Sequence, residues 1–161
     1  MKKFLIQTVL LLIVIGAGIF FYAKPGTIPI AFLPQPPKQN ELKINDAVIK
    51  VEVANTQSKR SRGLGGRVSL ASDSGMLFIF EKADKYPFWM KGLAFALDFV
   101  WIRDSEVVDV LENIQPPASG TPDSSLPFYG SNSPVDKVLE VNAGFVKAHS
   151  IKIGDVVKLS P

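Results

Sequence analysis

The segment that most constrains the fold is the apolar run Phe88–Ile102, which contains both tryptophans of this 161-residue chain. Only Lys91 and Asp98 carry charge within it. Such a run predicts two short strands, Phe88–Met90 and Leu97–Arg103, that cross the middle of a small sheet. We therefore expect the rest of the folded chain to be built around these two strands.

Patterns on both sides of this run predict further strands. Apolar and polar residues alternate through Glu41–Ala54 on either side of Asn45-Asp46, which predicts a hairpin. The continuous apolar run Gly75–Phe80 is typical of a strand buried on both faces, whereas Glu81–Tyr86 reads as a polar loop. The remaining predicted strands are Glu106–Leu111, Val138–Val141 and Val156–Leu159.

Two short helices and one long irregular segment complete the pattern. Asn55-Thr56 can cap a helix over Gln57–Arg62, and a second helix is expected to end near His149. The segment Ile114–Pro134 is rich in proline and serine, and loops of this length are usually functional or mobile. We therefore predict a mainly β domain with about eight strands and two short helices, either a compact antiparallel sandwich or a partly open barrel.

The N-terminus has the composition of a transmembrane helix. Phe4–Ala23 is predominantly apolar, and a helix of this length spans about 30 Å, the thickness of the hydrocarbon core. Lys2-Lys3 favour a cytoplasmic N-terminus, so the β domain is expected outside the cytoplasm of the cell. The alternative is a cleaved signal peptide with a secreted or periplasmic product, but the bulky Ile19-Phe20-Phe21 argues against a cleavage site.

The predicted domain organisation has three parts. Residues 1–23 form the membrane anchor, residues 24–40 a proline-rich linker, and residues 41–161 the β domain. Proline fixes φ and removes a hydrogen-bond donor, so the linker should be extended and semi-rigid.

The net charge of +3 comes from the N-terminal part of the chain. Four lysines precede Glu41 and no acidic residue does, whereas 14 Lys and Arg face 15 Asp and Glu from Glu41 onward. A nucleic-acid-binding domain would carry its positive charge on the folded part. The sequence therefore predicts no nucleic-acid partner.

Cysteine is absent, which excludes disulfides, thiolate nucleophiles and sulfur-ligated metals. The only histidine, His149, is followed by Ser150, and neighbouring helical residues face apart, so the two form no triad. We expect no metal and no cofactor, and the sequence identifies no catalytic residue.

Two carboxylates within predicted strands are the main candidates for a functional site. Asp98 should share one strand face with Val100 and Ile102, and Glu140 is likewise placed among apolar neighbours. A buried carboxylate requires a cation or several backbone donors. The candidate cations are Arg60, Arg62, Arg67 and Lys91.

Two interpretations of these charges remain open. They form structural ion pairs that attach the first helix and its glycine-rich turn to the sheet, or they form a polar cluster that binds a small polar ligand. In the second interpretation the ligand-binding residues are Asp98, Glu140, Lys91, Arg62, Arg67 and Trp89. Two carboxylates can also perform acid–base hydrolysis if a substrate fits between them.

Five motifs in order resemble the DUF192 family, a set of small, mostly bacterial and archaeal domains without an assigned reaction. They are Arg62-Gly-Leu-Gly-Gly-Arg67, Gly75-Met-Leu-Phe-Ile-Phe80, Phe88-Trp-Met-Lys91, Leu97-Asp98 and Leu139-Glu-Val-Asn-Ala-Gly144. The resemblance covers about residues 42–160 and implies a compact β domain, often behind a signal or anchor. This chain departs from the family pattern at Gly65, where methionine is usual, and at Gly92-Leu93, where an Asn-Thr pair is usual.

These features favour a membrane-anchored, extracytoplasmic module that binds a small ligand or an envelope protein. The first alternative is a hydrolase of cell-envelope material that uses Asp98 and Glu140. The second is a structural accessory of a membrane complex. The sequence favours a non-enzymatic role.

Overall fold

Residues 40–160 are described by a computed structural model, in which they form seven strands, two short α-helices and one 3₁₀ turn. The anchor prediction for residues 1–23 and nearly all of the predicted linker lie outside the described residues. Within residues 40–160, no helix is long and apolar enough to cross a membrane. The elements are β1 (Asn40–Ile44), β2 (Ala47–Ala54), α1 (Gln57–Arg62), β3 (Ser74–Asp84), β4 (Leu97–Arg103), β5 (Glu106–Ile114), the 3₁₀ turn (Asp123–Ser125), β6 (Val135–Asn142), α2 (Phe145–Ala148) and β7 (Val157–Ser160).

The strands form one curled sheet in the order β5-β4-β6-β3-β2-β1-β7. The sheet curls so far that the chain just before β7 meets the start of β5, at an isolated bridge between Glu106 and Val156. The Val107 amide donates to the Asp155 carbonyl at 2.9 Å, and the Val157 amide donates to the Ser105 carbonyl at 2.8 Å. The fold is therefore a mainly β half-barrel, which agrees with the predicted open barrel and not with a two-sheet sandwich.

The antiparallel pairing predicted for the sandwich alternative does not hold for one strand pair. β2 and β3 run parallel, while the other paired strands are antiparallel. Residues 55–73, which include α1, cross over one face of the sheet and return the chain in the same direction. A parallel pair needs a long crossover connection of this kind.

The run Phe88–Ile102 does not cross the middle of the sheet as two strands. Phe88 makes only an isolated bridge with Tyr129, through two N–H···O bonds of 2.8 Å. β4 is confirmed, but it is second from one end of the sheet, and β3 occupies the middle. β3 also continues through Asp84, where a polar loop was predicted, because its backbone still pairs with Val135 after a register shift.

Each face of the sheet carries its own hydrophobic core. The first core gathers residues from all seven strands and from α2, as expected for the interior of a barrel. The second core lies on the opposite face, beneath Leu64 from the β2–β3 connection and the segment 86–95. β4 contributes alternately to both, with Val100 in the first core and Phe99 in the second, so the predicted alternation is confirmed.

Candidate functional site

A pocket of about 780 Å³ opens on the second-core face of the half-barrel. Its walls come from α1 and the following glycine turn Gly63–Gly66, from the middle of β3, and from the segment 86–93. Phe128, from the long loop 115–134, closes part of its rim. The three wall segments are distant in sequence, so only the fold brings them together.

Glu140 lies in the wall of this pocket, and it is the one pocket carboxyl that is enclosed by protein. β6 runs between β3 and β4, where Glu140 is paired with Met76 on one side and Phe99 on the other. Directly paired residues share a face, so the Glu140 side chain lies with the second core. It is 4% exposed, and its Oε2 atom has no hydrogen-bond partner among the described residues.

Burial determines the protonation state of Glu140. Desolvation raises the pKa of this carboxyl from 4.5 to about 8, because the charged form would lose its hydration inside the protein. At neutral pH the group is therefore mostly the uncharged acid. In that form it can both donate and accept a hydrogen bond.

Six aromatic side chains line the pocket: Phe78, Phe80, Tyr86, Phe88, Trp89 and Phe128. Phe80 and Tyr86 are stacked with ring centroids 3.6 Å apart, and Trp89 and Phe128 are stacked at 5.5 Å. Trp89 is 39% exposed and Phe128 is 65% exposed, so this second pair forms part of the rim. The aromatic walls offer flat apolar surfaces both in the interior and at the mouth.

Four cationic side chains also line the pocket, and two of them are already engaged. Arg60 donates from Nη1 to the Ile79 carbonyl at 2.8 Å, with its guanidinium 5.3 Å from the Phe80 ring centre. Lys91 forms an ion pair with Asp123 at 2.6 Å and stands 5.2 Å from the centre of the Trp89 ring.

The other two cations, Arg62 and Lys82, have no carboxylate within 4.0 Å among residues 40–160. Among the described residues, the only acidic member of the lining besides Glu140 is Glu81, which is exposed. Since Glu140 is mostly uncharged at neutral pH, the pocket carries an excess of positive charge.

The two positions at which the chain departs from the DUF192 pattern lie in adjoining walls of the pocket, Gly65 in the turn Gly63–Gly66 and Gly92-Leu93 in the segment 86–93. The Gly66 amide donates to the Gly92 carbonyl at 2.8 Å, which joins the turn to the segment 86–93. A side chain at Gly65 would begin 3.2 Å from the carbonyl oxygens of Arg62 and Lys91. The two departures are therefore neighbours in space, and both line the pocket.

Asp98 lies on the opposite face of the sheet from Glu140 and is not part of the pocket. Its cross-strand partner on β6 is Val141, so its side chain lies with the first core. The fully buried carboxylate accepts hydrogen bonds from the amides of Asn113 at 2.8 Å and Val146 at 3.0 Å. Backbone donors thus satisfy Asp98, and among residues 40–160 it forms no ion pair with an arginine or lysine, contrary to the prediction.

Arg67 is also outside the pocket, since it forms a two-bond ion pair with Glu52 at 2.5 and 2.8 Å. The hydrogen bonds from Arg67 hold the pKa of the Glu52 carboxyl below its usual value. Both side chains are partly exposed, so the pair is a surface contact between β2 and the chain after α1.

The structure therefore brings together four of the six predicted site residues, Glu140, Lys91, Arg62 and Trp89, and leaves Asp98 and Arg67 elsewhere. A hydrolase that needs Asp98 and Glu140 in one cleft does not fit this arrangement, because the sheet separates the two carboxyl groups. Among residues 40–160, no group of three acidic or histidine side chains is placed to hold a metal ion.

Sequence reasoning missed the contribution of β3 to the site. Phe78, Phe80 and Lys82 alternate along one face of this strand and all line the pocket. The alternation was visible in the sequence, but the predicted strand ended at Phe80, which left Lys82 in a loop. A strand continued through Asp84 would have placed Lys82 beside the two phenylalanines.

The DUF192 family profile, described as "Uncharacterized ACR", matches residues 40–159. A comparison with curated proteins found no match.

Two crystal structures share the fold. A suggested transcription regulator from Sinorhizobium meliloti is 30% identical, with a TM-score of 0.66, and the match covers 78% of this chain and 98% of that one. A protein of unknown function from Novosphingobium aromaticivorans is 26% identical, with a TM-score of 0.67 and coverage of 84% and 93%.

Proposed function

The chain belongs to the DUF192 family, and we propose that its β domain is a binding module that takes a small ligand in the pocket around Glu140. The observation that carries this proposal is the buried Glu140 carboxyl, whose Oε2 atom has no hydrogen-bond partner among residues 40–160, in a residue that lines a cavity of about 780 Å³. An unpaired buried polar group costs free energy, typically about 1–3 kcal/mol. A ligand that bonds to this group would remove that cost, and the cavity has the volume typical of small-molecule sites.

The proposed module is attached to the membrane by residues 4–23, with its N-terminus in the cytoplasm and its β domain outside. The support is the apolar N-terminal run behind Lys2-Lys3 and the proline-rich spacer that follows. Membrane fractionation combined with intact-mass measurement tests this arrangement. The proposal requires a full-length chain in the membrane fraction, with its domain digested by protease added from the outer side.

A thermal-shift screen of the full-length chain tests ligand binding, with sugars, cell-wall fragments and metal ions as the panel. A ligand that binds only the folded state raises the melting temperature, by an amount that grows with its concentration relative to the dissociation constant. We expect at least one compound to raise it.

The site of binding is checked with variants. The shift should be reduced in Trp89→Ala, which removes one aromatic side chain of the pocket rim, and retained in Val68→Ala, a change at a residue that is 88% exposed and outside the pocket. A shift of equal size in both variants would place the ligand elsewhere and would contradict the proposal.

A further inference from the structure

We propose that the ligand is a small organic anion built on a planar ring, with its anionic group at the rim beside Arg62 and Lys82 and an uncharged polar group at Glu140. This inference rests on the proposed function and specifies the chemical class that the pocket would select. It follows from three properties of the pocket: the charge of its rim, the shape of its walls and the state of its one enclosed carboxyl.

The rim supplies the reason for a negative charge. The charge of Lys91 is balanced by Asp123, whose Oδ2 lies 2.6 Å from the lysine Nζ. Arg60 donates a hydrogen bond to the Ile79 carbonyl and lies over the Phe80 ring. Arg62 and Lys82 have no carboxylate partner among the described residues, and both line the pocket and are exposed. Guanidinium and ammonium groups bind carboxylate and phosphate oxygens through charge-assisted hydrogen bonds, which are the strong class of hydrogen bond.

The walls supply the reason for a planar ring. The exposed pair Trp89 and Phe128 is stacked with an interplanar angle of 16°, and the inner pair Phe80 and Tyr86 with an angle of 9°. Arg60 and Lys91 stand over the Phe80 and Trp89 rings, so a flat ring would stack on the outer faces of the other two rings, Tyr86 and Phe128. Aromatic contacts of this kind typically contribute about 0.5–1.5 kcal/mol beyond simple burial.

Glu140 supplies the reason for the orientation. An anionic group next to this enclosed carboxyl would lose its hydration without meeting a cation, which is strongly unfavourable. An uncharged ring nitrogen, amide or hydroxyl can instead exchange hydrogen bonds with the neutral acid. The charged end of the ligand is therefore directed to the rim, and the neutral polar end to the interior.

Titration calorimetry of the full-length chain at neutral pH tests the class with matched probes. The ring anions are AMP and indole-3-acetate, adenosine and indole-3-acetamide are their uncharged counterparts, and ribose 5-phosphate is an anion without the planar ring. We expect at least one ring anion to bind about tenfold or more tightly than both its uncharged counterpart and ribose 5-phosphate.

Variants then test the two ends of the site. Arg62→Gln should weaken the binding of the ring anion by about tenfold and bring it close to that of the neutral counterpart. Arg103→Gln, the same change at an exposed residue of β4 outside the pocket, should leave binding unchanged. Glu140→Gln keeps a donor and an acceptor and should retain binding, whereas Glu140→Leu should lose it.

Three results would overturn the inference: equal binding of charged and uncharged probes, equal binding by Arg62→Gln and the parent chain, or no binding of either ring anion. Circular dichroism of each variant separates a loss of binding from a loss of the fold. If an uncharged sugar binds in a Trp89-dependent manner and no ring anion does, the inference fails and the proposed function stands. If no compound binds in either panel, both fail.

Discussion

Asp98 and Glu140 are both buried carboxyl residues on adjacent strands, yet their surroundings are opposite. Asp98 accepts two backbone hydrogen bonds, one from the start of α2 and one from the end of β5. Glu140 has no hydrogen-bond partner for Oε2 in the described part of the chain, and it lines the pocket. A buried carboxyl normally has a hydrogen-bond partner, either in the protein or in a bound molecule. Asp98 has its partners in the protein and is therefore structural, whereas Glu140 is the better candidate for binding a ligand.

At Asp98 we predict a loss of stability when the carboxylate is replaced by an amide. Asp98→Asn replaces one acceptor oxygen with an NH₂ group, so one of the two backbone amides loses its hydrogen-bond acceptor. We expect the free energy of unfolding to fall by about 1–3 kcal/mol, the usual range for hydrogen bonds of this kind. Urea unfolding measures this change, and Asp46→Asn, at an exposed turn residue, serves as the matched control. Equal unfolding midpoints for the two variants would show that these two bonds do not stabilise the fold.

At Glu140 we predict an unusual dependence of stability on pH. Below about pH 4.5 the carboxyl is protonated in both the folded and the unfolded chain, so its contribution to the free energy of unfolding is fully present. Between pH 4.5 and about 8 the unfolded chain releases the proton while the folded chain retains it. Stability should therefore fall as pH rises through this window, by up to about 1.4 kcal/mol per pH unit from this group.

Glu140→Gln should remove this contribution, so that the variant gains stability relative to the parent chain as pH rises from 5 to 8. Glu112→Gln changes an exposed residue of β5 and should keep the parent profile. Unfolding curves at several pH values decide the matter. Identical profiles for the Glu140 variant and the parent would mean that Glu140 is ionised in the folded chain.

At the scale of elements, α1 depends on its neighbours because a helix of six residues is unstable alone. The Thr56 hydroxyl accepts from the Lys59 amide at its start, and Gly63 adopts a positive φ of 50° at its end. Arg60 ties the helix to β3 through the Ile79 carbonyl. These contacts place one wall of the pocket on the central strand of the sheet.

The close approach of β3 and β6 gives a prediction for Gly75. A Cβ at this position would be 2.8 Å from the Glu140 carbonyl oxygen, which is shorter than an ordinary contact, so the strands would have to shift. We expect Gly75→Ala to lower the free energy of unfolding by about 1–3 kcal/mol, the usual cost of overpacking. Urea unfolding measures it.

Gly130→Ala is the control for this prediction, because its Cβ would have only one neighbour, the Tyr86 carbonyl at 3.7 Å. Gly130→Ala should leave the free energy of unfolding nearly unchanged. If Gly75→Ala were equally neutral, the sheet would be able to adjust at this point, and the position of Glu140 would be less constrained than the contacts indicate.

At the scale of the whole molecule, contacts around Asp155 hold the two edge strands of the half-barrel, β5 and β7, close together. The Asp155 carboxyl accepts from the Asn45 side chain at 2.7 Å and from the Lys152 amide at 2.9 Å, so it joins the β1–β2 turn to the chain before β7. The hydrogen bond from the Lys152 amide makes the largest contribution to lowering the pKa of the Asp155 carboxyl, followed by the hydrogen bond from the Asn45 side chain. The same segment carries the bonds to Ser105 and Val107 that bring β5 close to β7.

We predict that Asn45→Ala loosens this closure without opening the pocket, which is on the other core. The amides of Val107 and Val157, which bond across the closure, should exchange with solvent faster. Hydrogen exchange resolved by residue measures this, with Asn55→Ala, at an exposed position before α1, as the control. Unchanged exchange at both amides would show that the Asn45–Asp155 bond does not hold the barrel closed.

Much of the fold follows from patterns that are local in sequence. The β1–β2 turn, the limits of α1 and of β4, and the alternation of β4 side chains between the two faces of the sheet were all predicted and are confirmed, because each depends on a few consecutive residues. The end of β3 and the role of Phe88 were predicted wrongly. Both depend on partners that are distant in the chain, Val135 and Tyr129.

The sequence by itself determined that Asp98 and Glu140 would be buried and would need partners, since both occur within apolar strands. Only the tertiary structure decided that they point to opposite sides. Phe99, and not Asp98, is paired with Glu140 in the register between β4 and β6. A shift of one residue would move a whole strand's side chains to the other face, and register is set by pairing between distant segments. The pocket depends on that one choice of register, which local patterns do not encode.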